Sequence, residues 1–158
     1  MLSLLAALIL VPPTTYTLIP DSSDDIKAAV NLTVEHMSFI TRPIARGRLN
    51  KTNPLPRRVL VTLTDDTLAV AFDDGNPIVT PLDGTTVPWR SLLTRENYEA
   101  HAVRTADTTA QVIVAPDGSR TNAYVFSPDG ARLELRVTVA SHRLPRPLTY
   151  TLRFRRDA

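Results

Sequence analysis

The chain contains no cysteine. Disulfide frameworks, thiolate nucleophiles and cysteine metal sites are thereby excluded, while the compartment stays open, because a domain with a sufficient core needs no bridges. Glycine is scarce, at 5 of 158 residues, and no GxGxxG or Walker-type segment occurs, so a backbone cradle for phosphates is not expected. Lysine is almost missing: Lys27 and Lys51 are the only two among 18 basic residues, and the rest are arginine. Those arginines are interspersed with 16 acids to a net charge of +2. A nucleic-acid surface shows a basic block or stripe instead, so nucleic acid is not an expected partner. The chain also lacks GxSxG, SxxK, HxH and HExxH patterns. His36, His101 and His142 stand isolated, and Ser141 beside His142 is no dyad, because adjacent residues on an extended chain point apart. Asp65-Asp66 and Asp73-Asp74 fall where hairpin turns are expected, a position in which Asp bonds its own backbone, and no EF-hand pattern surrounds them. No metal site, cofactor or catalytic residue is therefore expected, and the chain does not read as an enzyme.

What is present is a pattern of alternation. Leu133, Leu135, Val137 and Val139 alternate with Arg132, Glu134, Arg136 and Thr138, and Leu148, Tyr150, Leu152 and Phe154 alternate with Thr149, Thr151, Arg153 and Arg155. Successive side chains on a strand face opposite sides, so each run reads as a half-buried strand. Upstream, similar runs occur around Val59–Leu63, Leu68–Phe72, Pro77–Pro81, Val87–Leu93, Tyr98–Arg104, Ala110–Val114 and Arg120–Phe126. The punctuation between them is short: Asp65-Asp66, Asp73-Asp74-Gly75-Asn76 (with Gly75 free to take positive φ), Asp83-Gly84, Pro116-Asp117-Gly118 and Ser127-Pro128-Asp129-Gly130. Roughly eight to ten short strands joined by tight turns predict an antiparallel up-and-down meander, and curling it into a barrel removes the exposed edges. Pro77–Pro81 reads as an edge strand because of its prolines.

The N-terminal part differs. Residues 1–13 read as a signal-peptide-like apolar segment, since the run Leu2–Val11 is too short for a membrane span of about 20 residues. Export to the periplasm or outside the cell is the expectation that follows, and no stable membrane span is expected. Residues 14–158 then form one domain. Within it, Ser22 with Asp25 resembles a capping box, and Ile26, Ala29, Val30, Val34, Met37 and Ile40 share one helical face, predicting one amphipathic helix over about 23–41. Arg42 to Pro54 reads as a connection carrying Arg42, Arg46 and Arg48, with Asn50 and Asn53 after them.

This arrangement resembles the lipocalin-like, or calycin, up-and-down barrels. It departs from true lipocalins in lacking the GxW pair and cysteines, and in the helix over Asp24–Thr41. The chain is also similar to a group of exported bacterial proteins without an assigned function, which combine a short strand, a helix, an RPIARGRL-like linker and a β-meander. Arg42–Leu49, Asn53-Pro54, Asp117–Asn122, Ser127–Gly130 and Ser141–Tyr150 carry that likeness. The calycin resemblance implies, by analogy of architecture, an apolar molecule held inside the barrel.

One strand carries polar residues on a face that can be internal. By the period-two rule Arg120, Asn122 and Tyr124 point the same way, and in an otherwise apolar barrel they would orient a small ligand. Arginine suits a carboxylate or phosphate. Trp89-Arg90 offers a wall and a second cation. The candidate ligand-binding residues are thus Arg120, Asn122, Tyr124, Trp89 and Arg90, and the partner they fit is a small apolar or amphipathic molecule, acidic ones included. The alternative is a structural or protein-interaction domain docking a partner through an edge strand or an Arg-bearing face. The sequence does not fix the oligomeric state.

Overall fold

A computed structural model describes residues 9–73 and 75–158. The nine alternating stretches, with a further strand ahead of the helices, make ten strands: β1 Val11–Leu18, β2 Arg58–Leu63, β3 Thr67–Phe72, β4 Ile78–Pro81, β5 Val87–Arg90, β6 Asn97–Arg104, β7 Thr109–Ala115, β8 Gly118–Phe126, β9 Arg132–Ser141 and β10 Leu148–Arg156. They make one sheet in the order β4-β3-β2-β1-β10-β9-β8-β7-β6-β5, antiparallel throughout. Each strand pairs with its neighbour in sequence except at one point, between β4 and β5. β1 also pairs with β10, which joins the first strand to the last. The result is the nearly closed barrel that the short turns predict.

Side chains bridge the unpaired seam. Asn76 Nδ2 donates to Arg90 O (2.6 Å), the Leu92 amide donates to Asn76 Oδ1 (3.2 Å), and Trp89 Nε1 donates to Pro77 O (3.1 Å). From inside, Gln111 Nε2 on β7 reaches Ile78 O (3.0 Å) and Thr80 Oγ1 (3.1 Å) on β4. Edge groups that lack a ladder partner are satisfied in this way.

The alternation of β9 and β10 sorts as read from sequence. Leu133, Leu135, Val137, Leu148, Leu152 and Phe154 are buried, while Arg132, Arg136, Arg153 and Arg155 are exposed. Register stacks the inner side chains in rungs: Phe154, Leu133 and Phe126; then Leu152, Leu135, Tyr124 and Thr109; then Tyr150, Val137, Asn122 and Gln111; then Leu148, Val139, Arg120 and Ile113. The first rung packs with Tyr16, Leu18 and Leu63 in the core, Leu152 and Leu135 of the second also reach the cavity, and the last two rungs lie at the end that carries it.

The helical part corrects the expectation of one helix over 23–41 followed by a linker. There are two helices, α1 Ile26–Val34 and α2 Thr41–Thr52, and α2 covers the stretch read as a connection. Asp25 caps α1 by accepting from the Ala28 amide (3.2 Å), and Ile26, Val30 and Val34 bury its apolar stripe on the core. The stripe stops there, since Ile40 is exposed and Met37 only half-buried. The Ser38 hydroxyl then accepts from the Thr41 amide (3.2 Å), and Pro43 stands in the first turn of α2, where a missing N–H costs nothing. Proline here stands at a helix start, although the residue before a proline more often ends one. With Gly47 in its middle and Leu49 its only buried residue, α2 has no stripe to read.

Two local expectations also change. Positive φ in the β3–β4 turn falls on Asp73 (φ 47°) and not on Gly75, and the Asp73 carboxylate accepts from the Arg57 and Arg58 amides (3.0 Å each), which fixes the entry into β2. The signal-peptide-like segment falls mainly on residues 1–8, outside the described residues; Val11–Pro13 form the start of β1, and Val11 is buried.

Candidate ligand-binding cavity

The barrel is hollow at one end. A cavity of about 510 Å³ lies among the loop after α2 (Thr52–Pro56), the β3–β4 turn, the β5–β6 loop (Ser91–Thr94) and the inner faces of β8, β9 and β10. Its walls are mostly apolar: Phe72, Ile78, Trp89, Leu92, Leu93, Ile113, Leu135, Val139 and Leu152 line it. The volume is within the range of small-molecule pockets, about 300–1,000 Å³.

Four polar side chains converge in this space. Arg120, on the inner face of β8, donates from Nε to Asn122 Oδ1 (3.0 Å), from Nη1 to Asn53 Oδ1 (2.6 Å) and from Nη2 to Tyr150 Oη (3.0 Å). Tyr150 Oη in turn donates to Asn53 Oδ1 (3.0 Å). Asn53, Asn122 and Tyr150 are buried and Arg120 is half-buried. Each acceptor of the guanidinium is neutral, and no carboxylate of the described residues lies within 4 Å of it. A guanidinium presents five N–H donors, and Nε, Nη1 and Nη2 each already give one to a neutral oxygen. A cation in an apolar, partly water-excluded space without a counter-ion draws an anion more strongly than a surface arginine does.

The structure brings together some of the residues singled out in the sequence and separates others. Arg120, Asn122 and Trp89 line the cavity. Trp89 is a wall, tilted against Tyr98 with ring centroids 6.0 Å apart. Arg90 is exposed, one position along β5, and donates to Asn97 Oδ1 (3.4 Å) instead of entering the cavity. Tyr124 points inward but is fully buried below the cavity, opposite Leu135, and its hydroxyl has no hydrogen-bond partner. Burial pushes its phenol well above the ordinary value, with the nearby Arg120 charge and Asn122 amide offsetting this only in part. Period-two alternation already placed Tyr150 inside, although not as a polar contact. Asn53 gave no usable signal, because the helix that delivers it was itself not legible. Among the described residues no group of three or more His, Asp or Glu side chains is placed to hold a metal ion.

No protein-family model matches the chain, and no curated protein is similar to it in sequence. Solved structures are similar in fold. Fatty-acid-binding protein 1 of Echinococcus granulosus matches with a TM-score of 0.59 at 12% identity, over 97% of this chain and 98% of that one. The wild-type fluorescent protein UnaG matches with a TM-score of 0.59 at 11% identity, over 91% and 96% of the two chains. A Schistosoma mansoni fatty acid binding protein, in complex with arachidonic acid, matches with a TM-score of 0.53 at 14% identity, over 92% and 95%. At these identities the likeness is one of fold alone: this chain has the same antiparallel β-barrel architecture as these proteins.

Proposed function

We propose that the protein is a non-enzymatic binding module for a small apolar or amphipathic molecule with an acidic head. The observation that carries this reading is Arg120, a guanidinium inside an apolar cavity whose hydrogen-bond partners are all neutral. The apolar walls would take a hydrocarbon body, and Arg120 with Tyr150 would take the acid oxygen atoms. A charge-assisted hydrogen bond of this kind is worth about 1.5–3 kcal/mol. Solved structures of the same fold support the reading, since the schistosome protein holds arachidonic acid, itself an apolar acid. Docking through a free edge strand has less support, because the two sheet edges, β4 and β5, are tied to each other by Asn76 and Trp89.

Native mass spectrometry of the protein purified from its host tests the proposal. An adduct that extracts into organic solvent and ionises as an acid is the expected result. Bare protein that also fails to take up added long-chain acids counts against it. Export is part of the proposal and rests on the apolar run Leu2–Val11; because Val11 is buried in β1, N-terminal sequencing of the host protein should find the residues ahead of β1 removed.

A further inference from the structure

The polar end of the cavity is filled by the protein itself. Asn53 closes α2, and its side chain is held from two sides. Nδ2 donates to Leu49 O (2.9 Å), as does the Asn53 backbone amide (3.0 Å), which ties the residue to the last turn of the helix. Oδ1 accepts from Arg120 Nη1 (2.6 Å) and from Tyr150 Oη (3.0 Å). An amide oxygen therefore stands where one oxygen of an acid would take the same two donors. Among the described residues no other side-chain hydrogen bond joins residues 41–53 to a strand, and Leu49 is the only buried residue of α2.

We propose that Asn53 is a built-in competitor for the ligand's head group: the ligand takes Arg120 and Tyr150 by displacing it, and this unfastens the C-terminal turn of α2. The inference rests on the acid-binding reading of the cavity. Its consequence is selectivity. An alcohol or ester head only exchanges one neutral oxygen for another and must still release the helix end, so it gains little. An ionised carboxylate adds direct attraction to the guanidinium in a medium of low dielectric, and two charged partners make the stronger bond. Asn53 thus raises the threshold for every ligand, and ionised heads cross it most readily. The same exchange couples occupancy of the cavity to the cap, because the residue that leaves Arg120 is the residue that anchors α2.

Isothermal titration with dodecanoate and its neutral counterpart dodecanol, combined with hydrogen exchange across residues 41–53, tests the inference on the whole chain. In the wild type, saturating dodecanoate should speed exchange over 45–53 while slowing it in β8 and β10. Asn53→Ala should bind dodecanoate about tenfold tighter, the effect of removing one competing bond to a charged donor, and its α2 should exchange fast with or without ligand. Asn53→Asp places a permanent carboxylate on Arg120, and dodecanoate affinity should fall by at least about tenfold. Weaker binding by a folded Asn53→Ala, or exchange over 45–53 that slows or stays unchanged in the saturated wild type, overturns the inference. If Asn53→Ala does not fold, the Asp variant decides, and dodecanoate binding equal to wild type overturns it. Binding that is insensitive to residue 53 removes the competitor and leaves acid binding standing. A wild-type protein that binds no dodecanoate removes both.

Discussion

Tyr124 shows what single residues contribute inside this barrel. Its ring fills the core between Thr109 and Leu135, but its hydroxyl is buried without a partner. A buried unsatisfied hydroxyl costs more than the missing bond would return, so Tyr124→Phe should leave the fold equally stable or raise its stability by up to about 1 kcal/mol. A urea titration showing marked destabilisation instead would mean that the hydroxyl has a partner. The phenols of Tyr16, Tyr98 and Tyr124 are all raised, first of all by burial. The unfolded chain therefore gives up these protons before the folded one does, and stability falls as pH rises above about 10. Tyr124→Phe should move the alkaline unfolding midpoint to higher pH. At this scale alternation shows which residues share a face, as for Arg120, Asn122 and Tyr124, and puts Tyr150 with the core; that the β8 face is the inner one shows only once the strands are placed. The sequence is not legible where a contact depends on a distant loop. Asn53 meets Arg120 across 67 positions of chain, and no spacing rule links them.

Turns and strand ends set the behaviour of the elements. Gly118 opens β8 beside the Ala140 carbonyl of β9, so close that a Cβ could not be accommodated without moving backbone. Gly118→Ala should therefore part the β8–β9 pair at the end that positions Arg120, at a cost of about 1–3 kcal/mol in thermal unfolding. An unchanged melting temperature would show that β9 gives way freely. In the β8–β9 turn the Asp129 carboxyl is held below its ordinary value, first by the Ala131 amide and then by the Ser127 hydroxyl. Such a group stabilises the folded chain above its unfolded value of about 3.9 and loses that contribution as pH falls below it. Asp129→Asn should accordingly flatten the acid side of the stability profile between about pH 5 and 3, read as urea midpoints against pH. These turns were legible because Asp-Gly and Pro-Asp-Gly leave few alternatives. The cap was not. Pro43 and Gly47 read as a linker, yet proline is tolerated in a helix's first turn, and a helix lying on other elements needs no stripe when only Leu49 is buried.

Across the whole molecule, ten antiparallel strands close around a core whose hollow end, a cavity of about 510 Å³, lies opposite a smaller pocket of about 140 Å³ beside Thr109, Tyr124 and Phe126. That the chain forms a barrel was legible from the number of short turns and the absence of helices among the strands after residue 58. That the barrel stays unpaired between β4 and β5 was not, because the groups that bridge the seam, Asn76, Trp89 and Gln111, are recognisable only once the strands are placed. The hollow end gives the molecule one cation facing an apolar space, and binding should follow the charge of the ligand: dodecanoate uptake should weaken as pH falls through the acid's own ionisation near pH 4–5, roughly where carboxyl groups titrate. The decisive measurement is calorimetric titration of dodecanoate into the wild type and Arg120→Gln at neutral pH. Loss of the charged partner should weaken binding by about 1.5–3 kcal/mol, roughly ten- to a hundredfold, while dodecanol binds both proteins alike. Equal affinity of the two proteins for dodecanoate would contradict the assignment of Arg120 as the residue that receives the acid.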